Sequence, residues 1–144
     1  MVEFDLAHRS GDSVGDSYAV KHPSHTRVVF QNTGTLPDDP SLSKQQIMER
    51  WLKQDQVGIA MFAETNRHWP SLPEGWAWRD RIKPVTKEGY FAVSSHNVDQ
   101  DRKLATSSLQ PGGTALALLG SVSHAVRDSG TDSTGLGCWS FVRL

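Results

Sequence analysis

One cysteine, Cys138, stands in a chain of 144 residues. It cannot form an internal disulfide, so a scaffold stapled by disulfides is excluded. Long apolar runs are missing as well. None approaches the roughly 18 residues that a membrane-spanning helix needs. Met1 to Asp16 holds no apolar segment of the kind a secretory signal carries. An excess of one charge is also missing, since 15 Lys and Arg stand against 16 Asp and Glu, a net charge of −1. Bulk charge therefore gives no argument for nucleic-acid binding. Six histidines are scattered rather than clustered, which argues against a metal protein built on them. What remains is enough chain for one domain with a core, at a modest apolar share of 37%.

The most informative stretch is Gly58-Ile59-Ala60-Met61-Phe62-Ala63-Glu64-Thr65-Asn66. An apolar run ends abruptly in a carboxylate, a hydroxyl and an amide. Such a run reads as an interior strand of an α/β sheet, covered on both faces. Functional groups in open α/β sheets gather past the carboxyl ends of the strands. Glu64 occupies such a position; the plainer reading is a residue opening a solvated loop.

Taken in order, residues 1–26 show no period and read as a flexible lead-in. His22 and His25 have metal-ligand spacing but no second pair, so a solvated tail is the better reading. Arg27 to Asn32 is β-branched and aromatic, hence a strand, and Gly34 signals a tight turn after it. Ser43 and Gln46 have the spacing of a capping box, and Ile47, Met48, Trp51 and Leu52 form one helical face. Strand, helix and strand thus fill residues 27–64, the length of a βαβ unit. If its strands are parallel neighbours, about 5 Å apart, Asn32 and Glu64 emerge together at one sheet edge. An amide oxygen and a carboxylate there suit a hard cation such as Mg²⁺.

Further on, His68-Trp69 reads as one wall of a cleft or as edge packing, and Trp76 to Ile82 as a short helix stopped by Pro84. Gly89 to Ser95 is a strand, residues 96–110 an exposed loop, and Pro111-Gly112-Gly113 a sharp turn into the strand Thr114 to Leu119. Ser121 to Arg127 reads as a short helix or irregular crossing, Ser129 to Gly135 as a loop and Gly137 to Leu144 as a last strand.

Three motifs then occur in a telling order: Gln31-Asn32-Thr33-Gly34, Phe62-Ala63-Glu64-Thr65-Asn66 and Pro111-Gly112-Gly113-Thr114-Ala115. Together they resemble the endonuclease/exonuclease/phosphatase superfamily, over residues 27–144. The nearer likeness is to the endonuclease domains of retrotransposon-type reverse transcriptase proteins. Those often carry Glu-Thr-Asn followed by His-Trp, and a stretch like Asp132 to Trp139 with arginine where this chain has Cys138. The resemblance implies a four-layer α/β sandwich and metal-dependent cleavage of phosphodiester bonds in DNA. It implies Glu64 and Asn32 as catalytic, metal-binding residues, Asn66 and His68 as substrate-binding residues, and Mg²⁺ or Mn²⁺ as cofactor. It also implies an intracellular protein, with the nucleus as a candidate compartment.

The chain departs from the family pattern in its second half. The catalytic tyrosine, the Asp-x-Asn pair and the terminal Ser-Asp-His are missing; Ser95-His96-Asn97 comes too early and in another order. We therefore expect a partial sandwich, the N-terminal half of such a domain, inactive by itself. The alternative from another class is a small α/β binding or interaction protein without catalysis.

Overall fold

The structure, a computed structural model, describes residues 21–98 and 109–144. Its centre is a mixed sheet of four strands in the order β1-β2-β4-β3, built from β1 (Arg27–Asn32), β2 (Val57–Ala63), β3 (Tyr90–Ser95) and β4 (Thr114–Leu119). Helix α1 (Ser43–Gln54) connects β1 to β2, which pair in parallel as the βαβ length predicts. A short α2 (Trp78–Ile82) follows, and β4 runs antiparallel to both of its neighbours. Short 3₁₀ segments occupy Trp69–Ser71, Lys83–Val85 and Gly120–Ala125. The fold is therefore mixed α/β. Of the expected lead-in, residues 1–20 lie outside the described residues, as do residues 99–108 of the long loop.

The two faces of the sheet differ. On one face Ala60 and Phe62 of β2, Ala115 and Ala117 of β4, and Met48, Leu52, Trp78 and Ile82 of the helices form the core. Phe62 meets Trp78 edge-on at 5.3 Å, and the Trp78 indole N–H donates to the Leu116 carbonyl at 2.9 Å. On the other face the register aligns Val28, Ile59, Leu118 and Phe91 in one row and Phe30, Met61, Leu116 and Val93 in the next. A hairpin of β5 (Asp128–Thr131) and β6 (Ser140–Arg143) lies over β3 and β4 on this face. A Thr114–Ser140 hydroxyl hydrogen bond of 2.8 Å joins it to the sheet. Over β1 nothing described covers the face, and Phe30 is 68% exposed. The expectation that both faces of β2 are covered holds fully on the helical side and only in part on the hairpin side.

Two local expectations fail. The capping box does not form: Leu42 occupies the cap position, and no side chain bonds the first turn. Asp39 Oδ1 accepts from the Ser41 N–H at 2.7 Å, and this turn delivers the chain one residue early. The Leu42 carbonyl then takes the Gln45 and Gln46 N–H groups. Ile47, read as part of the buried face, is 39% exposed, and Gln45 is buried instead, its amide donating to Glu49. In place of the loop read at residues 129–135, β5 spans Asp128–Thr131.

Candidate functional site

All the polar strand ends meet at one edge of the sheet. Asn32 pairs in register with Ala63, so Glu64 lies one residue past Asn32's neighbour on the adjoining parallel strand. Ser95 and Thr114 continue the same row, which brings His96 and the Gly112-Gly113 turn to this edge too. The chain leaving β1 stays beside the chain leaving β2. Thr33 N–H donates to the Ala63 carbonyl at 2.9 Å, Thr35 N–H to the Glu64 carbonyl at 2.8 Å and Leu36 N–H to the Thr65 carbonyl at 3.0 Å.

This arrangement bends the backbone. Glu64 has φ 54°, Asn66 φ 51° and Thr35 φ 100°, all left-handed and none glycine. Left-handed backbone costs an L-residue about 1–2 kcal/mol. The Glu64 carbonyl is held by Thr35 N–H and by the Thr33 hydroxyl at 2.9 Å, which fixes the turn. Its side chain is exposed. Asn32 is exposed as well, and its Oδ1 accepts from the Gly34 N–H at 2.9 Å, which leaves that oxygen a second lone pair. Lys44 reaches over from α1 and donates to the carbonyls of Thr33 and Thr35, each at 2.5 Å.

Asn66 is committed to structure at both ends of its carboxamide. Nδ2 donates to Thr35 Oγ1 at 2.8 Å and Oδ1 accepts from the Gly112 N–H at 2.7 Å. A Cβ on Gly113 would stand 2.5 Å from Thr65 Oγ1, so that glycine serves close approach between the β2 exit and the β4 entrance. His68 is half-buried and meets His96 edge-on, ring centroids 5.0 Å apart. Burial, with His68 adding to it, pushes the His96 imidazole below its ordinary value.

Trp69 does not line a cleft: it is 6% exposed in the core, 6.1 Å from Trp78 and with the Arg81 guanidinium 5.4 Å from its ring centre. Arg81 was not singled out by sequence reasoning, yet it is 2% exposed and donates to the carbonyls of Trp76, Pro37 and Asp38. Arg67 donates to the Leu36 carbonyl and pairs with Asp38. Burial lowers both guanidinium groups, Arg81 to about 10, and both stay charged at neutral pH. Together they clamp the loop that follows β1, and no short motif announces them.

On the hairpin, Asp132 Oδ1 accepts from the Thr134 N–H and hydroxyl, and Oδ2 from the Cys138 N–H at 2.8 Å. The Thr134 hydroxyl first, then these backbone donors, hold its carboxyl below the ordinary range. Cys138 contributes through its backbone, and its side chain is exposed. His22 and His25 stand 5.1 Å apart, with His22 Nδ1 bonded to Ser24 Oγ at 2.7 Å.

Among the described residues, no three His, Cys, Asp or Glu side chains gather as a metal-holding group. A cavity of about 420 Å³ opens at the opposite sheet edge, lined by Lys53, Gly58, Val85, Glu88 and Gly120. It shares no residue with the Glu64 edge. No described helix is long and apolar enough to cross a membrane. No family model, curated protein or solved structure matches this chain.

Proposed function

We propose that this chain is a nucleic-acid-directed domain of the endonuclease/exonuclease/phosphatase type, with the strands and turns of a four-layer sandwich. It holds a divalent cation at Glu64 and Asn32 and has no hydrolytic activity by itself. The observation that carries the reading is Glu64. A non-glycine residue is held at φ 54° by hydrogen bonds to its carbonyl, directly past a strand whose parallel neighbour ends in Asn32. Backbone strain at an exposed carboxylate supports a role that folding does not require.

The donor set fits Mg²⁺ or Mn²⁺ in a limited way. Mg²⁺ commonly leans on one or two carboxylates and fills its shell with water and substrate phosphate. Glu64 supplies the carboxylate and Asn32 Oδ1 a neutral oxygen. Glu64 and Asn32 would hold such an ion, and the chemistry it would supply there is polarisation of a phosphodiester and offset of its developing charge. Asn66 holds the edge together through Thr35 and Gly112, and His68 stands on the same loop as a contact for DNA. A positioned base and transition-state donors are the parts that the matched motifs do not supply. Loss of one general base costs about two to four orders of magnitude in rate.

The test is twofold. Mn²⁺ binding, followed by paramagnetic broadening, is expected at Asn32 and Glu64 and lost in Glu64→Gln. Supercoiled plasmid with Mg²⁺ is expected to stay intact. Nicking by the wild type that disappears in Glu64→Ala would overturn the inactive part of the reading. Absence of Mn²⁺ broadening would remove the metal site. The exposed apolar face around Phe30 favours the second reading, an interaction protein, which predicts a specific partner and no metal at Glu64.

A further inference from the structure

One edge of the sheet is β1, and it lacks the devices that ordinarily protect an edge strand. Native edges are blunted by proline, by lysine or other charges, or by a covering segment. β1 reads Arg-Val-Val-Phe-Gln-Asn, with neither proline nor lysine. Its one charged side chain is engaged within its own chain, the Arg27 guanidinium donating to the Asp55 carbonyl at 2.5 Å. Among the described residues no strand pairs with its far side.

The open side has a defined hydrogen-bonding parity. Thr33 N–H donates to the Ala63 carbonyl, and in a parallel ladder alternate residues turn to the neighbouring strand. Gln31 and Val29 therefore face β2, while Val28, Phe30 and Asn32 hold their N–H and C=O groups toward the open side. Val28 and Phe30 are also the exposed apolar residues of the strand, at 53% and 68%. A strand meets its own reverse about a two-fold axis. An axis at Val29 sets Val28 of each copy opposite Phe30 of the other. Both belong to the outward set, so each pair exchanges two backbone bonds, about four in all. Their side chains lie on one face, apolar against apolar. On the other face Arg27 stands opposite Gln31, and no like charges meet. β1 is thus self-complementary, as an isologous contact requires.

We propose that β1 is the two-fold interface of a homodimer, in which two four-stranded sheets join edge to edge into one continuous sheet. A second copy is the occupant because the strand's own reverse satisfies both its outward backbone groups and its apolar row. The area sets the strength. Phe30 and Val28 of two copies bury on the order of 500 Å², taking an aromatic side chain as roughly 150–250 Å². Stable interfaces bury about 1,200 Å² or more. The dimer is therefore weak and dissociates on dilution. The axis leaves the two Asn32 positions about 20 Å apart along the joined strands, so the Glu64 edges lie at opposite ends and stay open. Neither a metal at Glu64 nor nucleic acid enters this inference.

Disulfide trapping tests the register. At the axis the two Val29 Cα atoms form a non-hydrogen-bonded pair about 4.5 Å apart, within reach of a disulfide. The two Gln31 Cα atoms lie about 14 Å apart, outside it. Cys138 is exposed, so it is replaced by serine in both variants. Under mild oxidation of the full chain, Val29→Cys is expected to give linked dimers about tenfold or more faster than Gln31→Cys. Analytical ultracentrifugation without any substitution is expected to show a dimer that dissociates on dilution. Val28→Lys sets a charge against the partner's Phe30 and is expected to stay monomeric, its fold checked by circular dichroism. Equal trapping of the two cysteine variants, or none, would overturn the proposal. So would a wild type that is monomeric at every concentration, or Val28→Lys that associates as the wild type does. Protection of the Phe30 amide from exchange in a monomer would give the edge to another part of the same chain and overturn it too.

Discussion

Asn66 and Gly112 hold each other twice: the Asn66 N–H donates to the Gly112 carbonyl at 2.7 Å, and the Gly112 N–H returns a 2.7 Å bond to Asn66 Oδ1. The same carboxamide donates to Thr35 at 2.8 Å, so one side chain ties three loops at the sheet edge. Asn66→Ala is expected to cost about 1–3 kcal/mol, because partly buried groups lose their partners. Asn66→Asp keeps an acceptor for Gly112 and loses the donor to Thr35, so it falls between Ala and wild type. Urea denaturation of the three proteins checks the order.

Arg81 spans three backbone carbonyls from a buried position, an arrangement that only a planar fork can make. Arg81→Lys is expected to destabilise by about 3 kcal/mol or more, since buried acceptors are left unpaired. Guanidinium chloride melts of wild type and variant provide the measurement. Preserved stability in the lysine variant would show that the loop after β1 does not depend on the fork.

His96 carries a pH prediction. Its imidazole is lowered below 6.5 in the fold, by burial first and by His68 second. Below pH 6.5 the unfolded chain therefore binds more protons at this site than the folded chain does. The stability contribution is full above that value, falls as pH drops through it, and levels off below the folded value. Thermal midpoints between about pH 7.5 and 5.5 should decline, and His96→Gln should flatten the decline.

The half-covered sheet face sets a fourth expectation. Val28 and Phe30, at 53% and 68% exposed, lie on an edge strand next to half-buried Ile59 and Met61. Exposed apolar faces and strand edges drive association. Analytical ultracentrifugation of the chain should show concentration-dependent self-association, reduced in Phe30→Ser. A wild type that stays monomeric at every concentration would contradict it.

Much of this fold was legible in the residues themselves. Arg27 to Asn32, Gly58 to Ala63 and Thr114 to Leu119 announce strands through β-branched or continuous apolar side chains, and Met48, Trp51 and Leu52 announce α1. The neighbourhood of Asn32 and Glu64 followed from the βαβ length, with strands taken as parallel neighbours, and from the family resemblance. β5 was not legible, because Asp128-Ser129-Gly130-Thr131 has no apolar pattern and becomes a strand only by pairing with β6. Arg67 and Arg81 were not legible either, since charged side chains are ordinarily solvated and only tertiary contact reveals their carbonyl partners. The capping box misled because a turn at Asp39 decided where α1 starts.

The left-handed backbone at Glu64 has a consequence for how this position changes over generations. Glycine meets that φ without steric cost, so Glu64→Gly is expected to leave the fold as stable or to raise its stability by up to about 1 kcal/mol. A single-nucleotide change converts the one codon into the other. In a lineage that no longer uses the carboxylate, thermodynamics and mutation would both carry the position toward glycine. Retention of glutamate among descendants would then record continued selection on the edge itself, independent of any assay.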